Sequence, residues 1–239
     1  MLSKSQIKLI TSLKQKKYRQ QHGLFVVEGV KTINELLQSN LVLHALYTTE
    51  TFNIDAKNEF LISEAELKKI SFLKTPNKAL AVFKIPESKP IAQNGLIVAL
   101  DDVRDPGNLG TIIRLCDWFG ISDLVCSKET VDCFNPKVIQ ATMGSITRVN
   151  ISYVDLVGFL NDTELPSFGA YMEGDNVYRS ELPDKGVLIM GNEANGISGS
   201  VEALIKEKIS IPRFGDIQVT ESLNVASATA ILLSEFRRS

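Results

Sequence analysis

Three short polar stretches of this chain carry residue types that can do chemistry. The first is Asn108-x-x-x-x-x-Arg114, within D-P-G-N-L-G-T-I-I-R; the second is Gly191-Asn192-Glu193-Ala194-Asn195-Gly196; the third is Ser222-Leu223-Asn224-Val225. Each follows an apolar run, and the third opens a helix whose remainder is almost wholly small or apolar. Polar side chains beside backbone N–H groups that lack an intrahelical partner make a natural place to hold a ligand. Each stretch also has a plainer explanation. Residues 105–108 can be a turn with Asn near a helix start, Gly191 and Gly196 can serve only to allow positive φ, and Ser222 can be a simple N-cap. All three fall at strand ends in one half of the chain, and in open parallel α/β sheets ligands bind outside the carboxyl ends of strands. The pattern therefore favours one composite site.

The elements that must position these residues can be read from periodicity. Residues 24–27 (L-F-V-V), 45–49 and 80–85 read as strands, whereas 29–39 and 64–70 have apolar residues at helical spacing. Residues 86–95 (P-E-S-K-P-I-A-Q-N-G) read as a linker. Beyond it, apolar runs at 96–100, 123–126, 168–172, 187–190 and 208–211 alternate with helical stretches, the signature of a mostly parallel sheet covered on both faces. The expected organisation is a basic segment 1–22, a small α/β domain 23–90 and a larger α/β domain 95–239. A dinucleotide fold needs G-x-G-x-x-G between its first strand and helix, and that pattern is absent, which disfavours a nucleotide-dependent oxidoreductase. The glycines at 191 and 196 have the spacing of a phosphate loop, but Ile197 stands where Lys is required.

Composition narrows the classes further. The chain has 239 residues, 44% hydrophobic and 23% charged, with no apolar run long enough for a membrane span and a polar, basic N-terminus, so a cytoplasmic location is expected. Cys116, Cys126 and Cys133 lack metal-site pairing and read as buried reduced thiols, and no metal is expected. The net charge of −2 conceals an asymmetry: through Ala92 there are 14 Lys/Arg against 8 Asp/Glu, and beyond it 12 against 20. The first 22 residues hold Lys4, Lys8, Lys14, Lys16, Lys17 and Arg19 with no acid. Such a segment is either a phosphate-contacting arm or a solvated helix face. His22 and His44 fit no motif, and Trp118, continuing the helix with Leu115 and Phe119, reads as a core residue.

In order and spacing the three stretches resemble the motifs of the SpoU (TrmH-type) RNA 2′-O-ribose methyltransferases of the SPOUT superfamily: N-x-x-x-x-x-R at 108–114, G-N-E-x-x-G at 191–196, and Ile211-Pro212 followed by Ser222-Leu223-Asn224-Val225. Lys17-Tyr18-Arg19 through Gly29 resembles the start of that family's substrate-binding domain, so nearly the whole chain is covered. The resemblance implies a parallel-sheet domain with a deep trefoil knot, an accessory domain of ribosomal-protein-like fold, and a homodimer formed through the C-terminal domain. It implies S-adenosylmethionine as cofactor, held at Gly191, Asn192, Gly196, Ile211 and Leu223 largely through backbone atoms. The catalytic set is then Arg114, Asn108, Glu193, Ser222 and Asn224, with RNA contacts at Lys14, Lys16, Lys17, Arg19 and Arg213.

The implied reaction is attack of a ribose 2′-hydroxyl on a sulfonium methyl, which needs alignment, a route for the hydroxyl proton and a phosphate clamp. Guanidinium is a poor base, with a pKa above about 12, so orienting the hydroxyl and stabilising developing alkoxide charge suit Arg114 better than proton abstraction. Asn108 fixes the loop or the substrate ribose, and Asn192 and Glu193 position Arg114 or RNA. Two departures stand out. Arg213 follows Ile211-Pro212 where Met is usual, and the loop 213–221 is longer than in many relatives. Ribosomal RNA is favoured as substrate by the accessory domain, with transfer RNA, or a non-catalytic RNA-binding protein of the same fold, as alternatives.

Overall fold

The computed structural model describes residues 1–55, 57–216 and 222–238. Two compact units are present: residues 1–87 with 132–147, and residues 88–131 with 148–239.

The first unit begins with α1 (Lys4–Ser12) and α2 (Lys16–His22), followed by β1 (Leu24–Glu28), α3 (Val30–Leu37), β2 (Leu43–Thr48), β3 (Glu59–Leu61), α4 (Glu64–Ile70) and β4 (Ala79–Lys84). The strands form one sheet in the order β1-β4-β2-β3, with β4 antiparallel to both neighbours and β3 parallel to β2. Alternation along β1 explains its unbroken apolar run. Leu24 and Val26 join a cluster with Ile10, Leu13, Leu67 and Ile70 on one face, while Phe25 and Val27 join Ile33, Leu36 and Ile139 on the other. Both α1 and α4 open with capping boxes, Ser3 with Gln6 and Ser63 with Glu66, which satisfy orphan N–H groups reciprocally. The turn from α2 into β1 is made by Gly23 at φ +62°.

In the second unit β5 (Leu96–Leu100), α5 (Pro106–Trp118) and β6 (Asp123–Ser127) come first. The next helix, α6 (Pro136–Thr142), belongs to the first unit, where Phe134 sets its ring 4.8 Å from that of Phe25. The chain then continues through β7 (Asn150–Val154), α7 (Leu156–Asp162), β8 (Ser167–Tyr171), β9 (Asp175–Asn176), β10 (Gly186–Met190), α8 (Gly199–Glu202), β11 (Glu207–Ser210) and α9 (Val225–Phe236). Its seven strands run in the order β7-β6-β5-β10-β8-β11-β9, and every pairing is parallel. The α/β architecture with a parallel sheet is the one expected from the alternating runs. β5, β6 and β10 are buried along their full length, as a sheet covered on both faces requires. Ile97, Ala99, Val187 and Ile189 pack beneath α7 and α8, and α5 and α9 pack against each other. At the far end of α9 the Phe236 ring meets Phe168 edge-on at 5.3 Å.

Some sequence readings are corrected. Trp118, expected in the core, is 84% exposed, because α5 buries Leu109, Ile112, Ile113 and Cys116 on its opposite side. Strands β3 and β7 were not legible as runs. The cysteines are buried thiols, as expected. Among the described residues no helix is long and apolar enough to cross a membrane.

Candidate active site

The site is organised by the register between β5 and β10. Leu100 pairs with Met190, so the turns after both strands leave the sheet side by side, at the point where the order of strands reverses direction. Asp102 adopts φ +60°, and its carbonyl accepts a 2.6 Å hydrogen bond from Asn192 Nδ2. Buried Asp101 accepts the Ser198 N–H at 2.7 Å. These bonds tie the two turns together.

Within the second turn, Asn192 and Gly196 exchange backbone hydrogen bonds of 2.9 Å in both directions, which folds the loop into a tight hairpin. The two glycines there have different reasons. Gly196 sits at φ +68°, whereas a Cβ on Gly191 would lie 2.3 Å from the Gly196 carbonyl carbon. Positive φ thus accounts for Gly196 but not for Gly191, which is fixed by backbone crowding. The Asn192 side chain accepts from Ala194 N and Asn195 N and donates to the Asp102 carbonyl. Its geometry is that of a loop staple.

The three motifs meet through a polar relay. Asp105 caps α5 by accepting the Asn108 N–H at 2.8 Å. Asn108 Nδ2 donates to Glu193 Oε1 at 2.7 Å, and Asn224 Nδ2 donates to Asn108 Oδ1 at 2.9 Å. Asn224 Oδ1 accepts from Ala226 N and Ser227 N, so Asn224, not Ser222, is the N-cap of α9. The direction of the relay follows from donor and acceptor inventory. An ionised carboxylate only accepts, so the Asn108 amide must turn its NH2 toward Glu193 and its oxygen toward Asn224.

Beside this relay lies a cavity of about 900 Å³ at the carboxyl ends of β8, β10 and β11, bounded on its far side by α9. Gly191, Asn192, Glu193 and Gly196 line it from the second motif, and Ile211, Arg213, Ser222 and Leu223 from the third. Ala170, Tyr171 and Met172 at the end of β8, with Ala228 and Leu232 of α9, add to the wall. These last five were missed, because the polar stretch after β8 (Glu173-Gly174-Asp175) matches none of the three motifs and α9 read as undifferentiated apolar helix. Burial, together with the nearby carboxylates of Glu202 and Asp101, pushes the Tyr171 phenol up to about 12, which keeps it neutral.

The remaining expected site residues lie elsewhere. Asn108 and Asn224 belong to the relay rather than to the cavity wall. Arg114 is exposed on α5, six residues and so about 9 Å of helix rise beyond Asn108, and does not line the cavity. In the first unit, Lys14, Lys16 and Lys17 are exposed. Arg19 is 2% exposed: its guanidinium donates to Leu13 O at 2.8 Å, to Lys14 O at 2.9 Å and to Asp132. It closes the end of α1 internally and is not a surface phosphate contact. The long loop expected at 213–221 lies partly outside the described residues.

Both parts of the chain are similar to known proteins. Residues 95–234 match the profile of the SpoU rRNA Methylase family, and residues 4–81 match the MRM3-like substrate binding domain. A Bacillus subtilis protein named 23S rRNA (guanosine(2553)-2′-O)-methyltransferase RlmP is 28% identical over 232 residues, which cover 93% of this chain and 92% of that protein. A Porphyromonas gingivalis structure described as a putative RNA methyltransferase of the TrmH family superposes with a TM-score of 0.90 at 37% identity, covering 100% of this chain and 99% of that one. A Sinorhizobium meliloti rRNA methyltransferase solved with AdoMet bound gives 0.87 at 29% identity, with 100% and 97% coverage.

Proposed function

The chain belongs to the SpoU rRNA methylase family, and from that premise we propose that it transfers a methyl group from S-adenosylmethionine to a ribose 2′-hydroxyl of RNA. The observation that carries the reading is the convergence of three sequence-distant motifs, through Glu193, Asn108 and Asn224, beside one cavity at the carboxyl ends of the sheet.

The cavity suits the cofactor. Gly191 lines the cavity where its own loop packs backbone against backbone, and Ile211, Leu223 and Met172 supply an apolar wall. When bound, S-adenosylmethionine supplies an electrophilic methyl on a sulfonium. The chain's own part is alignment and charge. Glu193 holds Asn108, Asn108 holds Asn224, and Asn224 fixes the start of α9, so the walls keep one geometry as substrate arrives. Arg114 is assigned to orienting the 2′-hydroxyl and stabilising its developing negative charge.

Ribosomal RNA is the substrate we favour, on the name of the Bacillus subtilis relative and on the MRM3-like accessory domain. We read the molecule as a cytoplasmic homodimer, with a trefoil knot in the second unit. On α5, Arg114 and Trp118, one turn apart, share an exposed face, and we assign the dimer contact to that face. The knot is supported by the slim residues Ala226, Ala228 and Ala230 on α9, which allow close threading. The test is incubation of the full chain with methyl-labelled S-adenosylmethionine and ribosomal RNA lacking 2′-O-methylation. One labelled ribose is expected, and cofactor binding without transfer to ribosomal or transfer RNA would reduce the chain to a binding module.

A further inference from the structure

Four large apolar side chains stand exposed among the described residues of the second unit: Trp118, Met172, Phe214 and Leu223, at 84, 43, 83 and 50% exposure. Met172 and Leu223 line the cavity, and Phe214 projects between Arg213 and Gly215, which line it too. Three of the four therefore gather at one mouth. The Phe214 ring is not buried by any core, yet it has a defined neighbour: its centroid is 6.4 Å from that of Tyr178, with the planes inclined by 33°. Tyr178 is itself held, its N–H donating to Asn176 Oδ1 at 3.0 Å and its carbonyl accepting from Arg238 Nη2 at 3.4 Å. Tyr178 thus supports one side of the ring and leaves the other to solvent.

Resting on the function proposed above, we propose that Phe214 is the stacking surface for a nucleobase of the RNA substrate, most directly the base of the ribose being methylated. The geometry of a nucleotide requires some such surface. The 2′-hydroxyl is on the carbon next to the one bearing the base, so a hydroxyl delivered into the cavity carries its base to the rim. There the base has left its own stack and is without the aromatic neighbours it had in the RNA. An exposed ring at that rim replaces them, and the neighbouring guanidinium of Arg213 brings positive charge to the same place, the combination that proteins use for unstacked RNA. Because every base has a π-face, Phe214 controls whether a base is held and not which base it is.

The experiment uses the full chain and three forms: wild type, Phe214→Leu, which keeps apolar bulk without a π-face, and Phe214→Tyr, which restores one. A short single-stranded RNA carrying 2-aminopurine between abasic nucleotides is the probe: stacking quenches its fluorescence, and with no neighbouring bases the quenching reports stacking on the protein. Quenching is expected with wild type and Phe214→Tyr and is lost in Phe214→Leu, whose Kd for the RNA rises by about 5- to 150-fold. KM for RNA should rise in parallel, with affinity for S-adenosylmethionine unchanged. Equal quenching and Kd in all three forms, or no quenching by wild type, would overturn the proposal. Lost cofactor affinity in Phe214→Leu would make the ring a wall of the cofactor site, and a fall from dimer to monomer would make it an interface group; either result overturns it as well. Failure of wild type to methylate any RNA would instead sink the proposed reaction, because the quenching assay needs no turnover.

Discussion

At the scale of single residues, the chemistry of this site depends on donors and acceptors having one consistent orientation. A carboxylate at Glu193 dictates which way Asn108 points, and Asn108 dictates the orientation of Asn224, which caps the last helix. Arg114 stands apart from this chain of bonds and from the cavity wall. Replacing it should therefore separate reaction from binding: Arg114→Ala is expected to abolish methyl transfer while the Kd for S-adenosylmethionine, measured by calorimetry, stays within a few-fold of wild type. A variant that turns over normally would remove Arg114 from the mechanism. Arg19 calls for the opposite expectation. As a guanidinium 2% exposed and paired with Asp132, it cannot be removed without leaving a part-buried carboxylate and the carbonyls of Leu13 and Lys14 without these bonds. Arg19→Met should lower stability by about 3–5 kcal/mol in urea unfolding, whereas a change of a few tenths would contradict its structural assignment.

Among the elements, caps and crowding decide the details. Glu66 closes the capping box of α4 and also accepts the Leu2 N–H at 2.8 Å, so one carboxylate serves the starts of two helices. Those backbone donors hold its pKa at about 2, below the ordinary 4.5. The sign follows directly: a depressed folded pKa contributes stability that is present above about 4.5 and lost as the pH falls through about 2. Glu66→Gln should thus melt at a lower temperature than wild type at neutral pH, with the two curves converging between those limits; a gap independent of pH would show that the charge is immaterial. Much at this scale was legible in the sequence. The run 96–100 is β5 and the helix 64–70 is α4, because a strand buried on both faces and a helix with capped ends leave strong local patterns. β3 and β7 left none, being short and only partly buried. Trp118 misled because its spacing from Leu115 is compatible with core and surface alike.

For the molecule as a whole, the uneven charge acquires a location. Lys4, Lys8 and Lys17 are exposed on the first two helices and Lys14 in the turn between them, but Ile10 and Leu13 are core residues at 1% and 0% exposure. Deleting this segment would damage the fold, so the informative change is substitution of the four lysines by Gln. RNA binding should weaken, and the slope of log K against log salt should become shallower by roughly 0.7 for each single-strand phosphate that these lysines neutralise. An unchanged slope in filter binding at several salt concentrations would return these lysines to an ordinary solvated face.

By itself the sequence determined the α/β class, the position of most strands and the three motif turns. These are consequences of local period and local backbone geometry, which a few consecutive residues express. Only the tertiary structure decided that residues 132–147 pack within the first unit, that Arg19 is buried against Asp132, that Asn224 rather than Ser222 caps α9, and that Phe214 stands at the cavity mouth. The reason is physical: an arginine, an asparagine or a phenylalanine has several acceptable partners, and the choice among them is made by whichever distant segments the two cores bring into reach.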